Sequence, residues 1–119
     1  MKTNKIIYRS GCANLGSFDL FIGKKHIDFE FGDYADIYYV QGKEACVIKP
    51  HKSIFDDLIG VYKDLDRRNI HVNSVYKRKN GYTFHLNDER FKTVVGDASV
   101  YAVLIDNEHK AIIIKYYKD

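Results

Sequence analysis

Several absences narrow what this 119-residue sequence can be before any pattern in it is considered. One proline and eight glycines are too few for a low-complexity chain or a flexible linker. The longest apolar runs, at residues 100–105 and 111–114, have the length of strands and fall far below a membrane span. Residues 1–5 carry basic charges, but no apolar signal-peptide core follows them, so we expect no secretory signal. We likewise expect no membrane partner and a cytoplasmic location.

Cysteine is scarce as well, with only Cys12 and Cys46 in the chain. Without a secretory signal we expect both thiols to stay reduced, and their wide separation excludes a CxxC motif. The sequence contains no GxGxxG or Walker loop, no HExxH pair and no calcium-loop pattern. We therefore predict no cofactor and no catalytic residue, and the sequence does not favour an enzyme.

What the sequence does contain is enough apolar surface for one folded domain. Hydrophobic residues make up 45% of the chain, and its length fits a single domain over residues 1–119. Lysine, isoleucine, tyrosine, asparagine and phenylalanine are abundant. Such a composition is typical of AT-biased coding, as in many mobile genetic elements.

Alternating apolar and polar residues, separated by turn residues, predict a series of β-hairpins. The hairpins pair 17–22 with 25–31, 36–40 with 44–49, 70–77 with 82–86, and 99–105 with 111–117. A further short strand is predicted at 5–9. Asn80-Gly81 is a strong turn signal, and Pro50 is expected to end the second hairpin because proline cannot donate a ladder hydrogen bond.

Residues 53–69 carry the pattern of an amphipathic α-helix. Ser53 is a favourable N-cap, Asp56 and Asp57 suit the positive end of the helix dipole, and Asn69 can end the helix. An apolar stripe recurs at three- and four-residue spacing and comprises Ile54, Phe55, Leu58, Ile59, Tyr62 and Leu65. We therefore predict an α+β fold: a mostly antiparallel, twisted sheet of short hairpins with one central amphipathic helix packed on one face.

An acidic stretch that is rich in tyrosine is the candidate protein-binding surface. Because adjacent side chains of a strand point to opposite faces, one of Tyr38 and Tyr39 is expected to be exposed. Exposed tyrosines beside carboxylates suit a basic surface on a partner protein. The first hypothesis is thus a small inhibitor or accessory factor that binds another protein through Asp28, Glu30, Asp33, Tyr34, Asp36, Tyr38 and Tyr39.

Basic residues near the Asn80-Gly81 turn lead to an alternative function. The net charge of +3 is modest, but these cations could contact phosphates while nearby tyrosines, Tyr76 among them, stack on bases. The alternative is a nucleic-acid-binding domain that uses Lys63, Arg67, Arg68, Lys77, Arg78, Lys79 and Tyr82.

Like charges that face each other lead to a second alternative. The predicted first hairpin, with its turn at Gly23-Lys24, places Asp19 directly opposite Asp28, which is unfavourable unless a cation or water compensates. With Glu30 on the same face, these carboxylates would suit a divalent metal ion and a small metal-dependent hydrolase. The simpler interpretation is a solvated outer face.

Overall fold

The computed structural model of the chain describes residues 5–10, 19–40, 45–53, 60–65, 70–86 and 100–117. Within them the chain forms eight strands: β1 Lys5–Ser10, β2 Asp19–Gly23, β3 Tyr34–Tyr39, β4 Ala45–Pro50, β5 His71–Arg78, β6 Gly81–His85, β7 Val100–Asp106 and β8 Ala111–Tyr117. They form one curled, antiparallel sheet in the order β1-β7-β8-β4-β3-β5-β6-β2.

Three of the four predicted hairpins are confirmed. β3 pairs with β4, β5 with β6, and β7 with β8, and the predicted first strand is β1. β4 ends at Pro50, as predicted. In the β5–β6 hairpin Arg78 pairs with Gly81, so the two turn residues are Lys79 and Asn80 and the glycine already belongs to the strand.

The predicted hairpin between 17–22 and 25–31 is wrong. β2 pairs with β6 instead, and Lys24–His26 forms a 3₁₀ turn. Residues 27–33 form no strand, yet Ile27, Phe29 and Phe31 are buried while the residues between them are exposed. The alternating pattern therefore marks an extended segment with one buried side, and burial alone does not require its backbone to pair with β2.

This extended segment covers the inner face of the sheet, which carries the larger apolar cluster. Its buried side chains join inward-pointing side chains from β2 to β8. Asn107, in the β7–β8 turn, holds the segment in place: its Nδ2 donates to the His26 carbonyl at 3.2 Å, and its Oδ1 accepts from the Asp28 amide at 2.7 Å. Within the described residues, the inner face is thus covered by extended chain and not by a helix.

The α+β prediction is wrong, because the described residues are mostly strands and contain no helix of seven or more residues. In the segment predicted to be helical, Gly60–Asp64 forms a 3₁₀ helix. Gly60 has a φ of 59°, a left-handed conformation that a right-handed α-helix cannot contain. Residues 54–59 and 66–69, which carry the rest of the predicted helix, lie outside the described residues.

The segment 60–65 packs on the outer face of one half of the sheet. Tyr62 and Leu65 join Tyr38 and Val47 in a second apolar cluster, and Leu65 forms an isolated bridge with Val40. A three-residue spacing suits a 3₁₀ helix as well as an α-helix, so the apolar stripe did not distinguish them. We call this outer face of β3, β4 and β8 the covered half.

The outer face of β2, β6, β5 and the start of β3 is different, and we call it the exposed half. The large hydrophobic side chains that are exposed among the described residues lie on it or at its border: Phe21, Tyr34, Ile70, Val72 and Tyr76. The two halves meet along β3, where Tyr34 is exposed and Tyr38 is buried on the same face.

Two smaller predictions can also be compared with the structure. Cys46 is buried, and Cys12 lies outside the described residues, so the reduced state of the two thiols stays a prediction. Among the residues that the structure describes, no helix is long and apolar enough to cross a membrane.

Candidate nucleic-acid interface

The tip of the β5–β6 hairpin, the end of β2 and the following 3₁₀ turn meet at one corner of the exposed half. The pairing of β2 with β6 brings them together, and the Lys24 amide donates a 2.8 Å hydrogen bond to the Asn80 carbonyl. Lys24, Lys25 and Lys79 are all exposed at this corner. Three lysines from two distant parts of the sequence therefore meet at this corner.

Two exposed aromatic rings stand on the same face as this corner. Phe21 of β2 and Tyr76 of β5 both lie opposite Thr83 of β6, one on each side, so they are two strand spacings, or about 10 Å, apart. Phe21 is 40% exposed and Tyr76 is 50% exposed. Since nucleobases stack on exposed aromatic rings, the face offers two separate stacking platforms.

Arg78 contributes a planar cation to the same face. Its Nε lies 3.3 Å from the Thr83 hydroxyl, and its guanidinium is 5.8 Å from the centre of the Tyr76 ring. The Tyr76 ring also meets His85 edge-on, with the ring centres 4.5 Å apart. We define the basic–aromatic surface as Phe21, Lys24, Lys25, Tyr76, Arg78 and Lys79.

The basic hairpin tip that was predicted from the sequence is divided between two faces. Arg78 and Lys79 belong to the basic–aromatic surface. Lys77 lies on the other side of β5, with its ammonium 3.5 Å from the Asp33 carboxylate. Both of these side chains are more than half exposed, so their ion pair contributes little to stability.

Of the remaining residues predicted to bind nucleic acid, two are placed elsewhere and two lie outside the described residues. Tyr82 is buried in the inner cluster, with the Lys24 ammonium 5.4 Å from its ring centre, so it cannot stack on a base. Lys63 is exposed on the 3₁₀ helix of the covered half. Arg67 and Arg68 are the two outside the described residues.

Sequence reasoning missed Phe21, Lys24 and Lys25 as members of this surface. The available signal was the basic doublet directly after Gly23, close in sequence to an aromatic residue. It was overlooked because the predicted first hairpin assigned the two lysines to a turn and a strand start, away from the Asn80-Gly81 turn. The pairing of β2 with β6 joins the two basic segments, and such long-range pairing leaves no local pattern.

The acidic, tyrosine-rich stretch does not form one surface. Asp28, Glu30 and Asp33 are exposed on the segment 27–33, and Tyr34 follows them with half of its side chain exposed. These residues remain available to a partner.

The other predicted protein-binding residues, Asp36, Tyr38 and Tyr39, are buried. The Asp36 carboxylate accepts a hydrogen bond from the Lys52 amide at 2.9 Å and lies 2.6 Å from His51 Nδ1. Tyr38 belongs to the outer cluster and Tyr39 to the inner cluster. The two tyrosines do point to opposite faces, but both faces of β3 are covered at this point, so the prediction that one is exposed is wrong.

The strand pairing does not bring the predicted metal-binding carboxylates together. Asp19 lies opposite His85 in the β2–β6 pair, not opposite Asp28. Within the described residues, no group of three or more histidine, cysteine, aspartate or glutamate side chains is arranged to hold a metal ion. Metal-dependent hydrolysis stays a prediction that rests only on the presence of Asp28 and Glu30 on one exposed segment.

A buried polar cluster lies at the β7–β8 turn in the covered half, and we call Lys49, Tyr62, Asp106 and His109 the turn-anchoring cluster. The Asp106 carboxylate accepts from the Tyr62 hydroxyl at 2.6 Å and from the His109 amide at 3.1 Å, and it lies 2.8 Å from His109 Nδ1. The Lys49 ammonium donates to the carbonyls of His109 and Lys110. Because these bonds all converge on residues 106–110, we assign the cluster to holding that turn.

Burial and hydrogen bonding shift the acid–base equilibria of this cluster. Burial lowers the pKa of Lys49 to about 8, although the Asp106 charge opposes the shift. Burial raises the pKa of Tyr62 above its usual range, and the hydrogen bond to Asp106 raises it further. Burial acts to raise the pKa of Asp106, but hydrogen bonds from Tyr62 and His109 outweigh it and the pKa is lowered. At neutral pH the carboxylate is therefore ionised and the phenol remains a donor.

Comparison of the chain with protein-family models, with curated proteins and with solved structures finds no match. The residues of the basic–aromatic surface are therefore the basis for assigning a function.

Proposed function

We propose that this domain binds single-stranded nucleic acid through the basic–aromatic surface. One observation carries the proposal: two exposed rings, Phe21 and Tyr76, share a sheet face with Arg78, next to the corner that carries exposed Lys25 and Lys79. The cations would bind backbone phosphates, while the rings would stack on bases. This mode of binding needs no recognisable sequence motif, because every base has a face that can stack.

A single strand suits this surface better than a duplex. The bases of a duplex are stacked on one another and present only their edges, which are read by elements that enter a groove. The rings of Phe21 and Tyr76 lie on a sheet face and offer stacking rather than edge contacts. The local gathering of cations also explains how a chain with a net charge of only +3 could bind a polyanion.

The test is fluorescence anisotropy with a labelled oligothymidylate about 16 nucleotides long, alongside a duplex of the same length. We expect the single strand to bind more tightly, with a slope of about −3 in log affinity against log salt if roughly four phosphates are contacted. The double variant Arg78→Glu and Lys79→Glu should weaken binding by about 100-fold, and Phe21→Ala or Tyr76→Ala by about tenfold each.

A matched control separates this surface from general electrostatic attraction. Lys115→Glu makes the same charge change at an exposed position of β8, away from the exposed half, and we expect it to leave affinity nearly unchanged. Equal losses in Lys79→Glu and Lys115→Glu would contradict a localised site. Tighter binding of the duplex would contradict the stacking role of the rings.

A second candidate function is binding to a basic protein surface through what remains of the acidic stretch. Asp28 and Glu30 line a cavity of about 350 Å³ together with Lys24, Ile27, Phe29 and Tyr82, and exposed Tyr34 lies further along the chain. An inhibitor or accessory role would then depend on these carboxylates. A pull-down at low and high salt tests it: Asp28→Lys with Glu30→Lys should abolish capture of the partner, and unchanged capture would refute this candidate.

A cytoplasmic location is part of the proposal. The scarcity of cysteine, with two residues in the chain, supports it, since small domains of oxidising compartments are commonly rich in disulfides.

A further inference from the structure

The corner of the exposed half forms an open cavity of about 440 Å³, which is within the size range of small-molecule sites. Its lining consists of one aromatic residue, three lysines, an asparagine and a glycine: Phe21, Lys24, Lys25, Lys79, Asn80 and Gly23. The ammonium of Lys24 is directed toward the Tyr82 ring, so Lys25 and Lys79 are the lysines available to this cavity. Within the part of the chain that the structure describes, no carboxylate residue lines it. The hydrogen bond from the Lys24 amide to the Asn80 carbonyl joins its two walls, so the lysines of both walls stay close together.

One wall of this cavity is an aromatic ring held against a glycine. A Cβ atom placed on Gly81 would lie only 2.7 Å from Cζ of Phe21 and would also overlap the Ile22 carbonyl oxygen. The ring therefore lies directly over the backbone of β6, an arrangement in which an aromatic side chain covers a glycine of the neighbouring strand. The rest of the ring is exposed to the cavity, and because the ring is already held, stacking on it loses little side-chain entropy.

We infer that this cavity binds a nucleotide phosphomonoester, with the base on Phe21 and the phosphate between Lys25 and Lys79. The inference rests on the proposed function and specifies which part of a strand enters the corner. An internal phosphodiester carries one negative charge, whereas a phosphomonoester approaches two at neutral pH. Lys25 and Lys79 stand on opposite walls and together carry two positive charges, which match the higher charge, so the terminal phosphate of a strand is favoured over its internal phosphates.

The lysines and the Phe21 ring have different roles in recognition. Lysine acts as a point charge and does not impose a planar, bidentate geometry, so the phosphate is held by charge rather than by orientation. Orientation comes from Phe21, which admits any base by its face. The cavity is therefore expected to discriminate between phosphorylated and unphosphorylated ends, and to discriminate only weakly among the four bases.

The experiment compares three versions of the same oligothymidylate: with a 5′-phosphate, with a 3′-phosphate and with neither, each titrated into the full chain at near-physiological salt. We expect one phosphorylated end to raise affinity by about tenfold, which corresponds to about 1.4 kcal/mol. Thymidine monophosphate with its phosphate at the same position, 5′ or 3′, should compete with the oligonucleotide that binds more tightly. Inorganic phosphate should compete more weakly because it lacks the stacking base.

Two variants locate the effect. Lys79→Gln changes an exposed turn residue that has little influence on folding, and it should remove most of the advantage of the terminal phosphate. Phe21→Leu should lower the affinity for thymidine monophosphate by about tenfold, with thermal melting used to confirm that the variant is folded. Lys115→Glu is the control and should keep the full advantage.

The outcomes separate the inference from the function on which it rests. Equal affinities for all three oligonucleotides would overturn the inference and leave single-strand binding intact. An advantage of the terminal phosphate that survives in Lys79→Gln would overturn the placement of the phosphate in this cavity. No binding of any oligonucleotide would overturn the proposed function itself.

Discussion

The two halves of the outer sheet face carry similar side chains but have different surroundings. In the covered half, Tyr38 and Val47 are buried beneath Tyr62 and Leu65 of the segment 60–65. In the exposed half, Phe21, Tyr34, Val72 and Tyr76 are between 40% and 51% exposed. Apolar and aromatic residues on a strand are therefore not evidence of burial in this protein, because the same sheet has a stabilised region and an accessible region on one face.

The polar residues of the two halves differ in the same way. The turn-anchoring cluster of the covered half is bonded internally, with Asp106 accepting from two neighbours and Lys49 donating to two carbonyls. On the exposed half, Lys25, Arg78 and Lys79 are exposed, and the Arg78 guanidinium lies beside the half-exposed Tyr76 ring. Charges that are satisfied internally stabilise the fold, whereas solvated charges beside exposed rings are available to a ligand.

The largest effect that separates the halves is expected from truncating one tyrosine in each. Tyr62→Ala removes a buried ring and the hydroxyl that donates to Asp106, so it should lower the free energy of unfolding by about 3 kcal/mol. Tyr76→Ala removes a half-exposed ring and should change it by about 0.5 kcal/mol or less. Urea denaturation measures both, and equal losses would mean that the exposed half is covered in solution.

The same comparison explains which parts of the fold could be predicted from the sequence. Three of the four predicted hairpins join segments close in sequence and were confirmed, among them the hairpin whose turn precedes Gly81. The β2–β6 pair joins segments far apart in the chain, and nothing in the alternation around Phe21 distinguishes this partner from the segment 27–31. Pairing that depends on which surfaces are free in the folded chain has no local signature.

The apolar spacing from which the α-helix was predicted also occurs in 3₁₀ helices. Tyr62 and Leu65 do pack on the sheet, as the apolar stripe required, but they do so from a 3₁₀ helix that follows a left-handed Gly60. Spacing predicts which side chains are buried more reliably than it predicts the backbone that carries them. The candidate site was predicted in part for the same reason: Arg78 and Lys79 belong to a local hairpin, while Phe21 and Lys24 reach it only through long-range pairing.

A smaller effect is expected from a methyl group placed where the exposed half is most tightly packed. Gly81→Ala forces the added carbon against the Phe21 ring and the Ile22 carbonyl, so it should destabilise the fold by about 2 kcal/mol. Gly32→Ala is the matched control, because no heavy atom of the described residues, its two chain neighbours aside, lies within 4 Å of its Cβ position. It should be neutral or stabilising by about 0.5 kcal/mol.

Thermal or urea unfolding of these two glycine variants measures the difference, and the titration with oligonucleotides extends it to function. If the Phe21 ring is a stacking platform only because Gly81 leaves room for it, Gly81→Ala should weaken nucleotide binding even at temperatures where the variant is fully folded. Gly32→Ala with the same loss of affinity would show that the effect is not specific to the ring.

The smallest effect is a pH dependence that belongs to the covered half alone. The pKa of Lys49 is lowered by burial to about 8 from 10.5, so between these values the unfolded chain keeps a proton that the folded chain has released. Stability should therefore rise with pH in this window, by about 1–2 kcal/mol between pH 7 and pH 9.5. Lys49→Met removes the titrating group and should abolish the rise.

The window must end below pH 10, because Tyr62 acts in the opposite direction there. Because the pKa of Tyr62 is raised in the folded chain, its phenol ionises at a lower pH in the unfolded chain. Stability is therefore lost as the pH rises above about 10. Urea denaturation of wild type and Lys49→Met at several pH values from 7 to 9.5 isolates the lysine. Parallel curves would mean that the Lys49 ammonium is as well solvated as the cations of the exposed half, and the contrast between the two halves would then rest on packing alone.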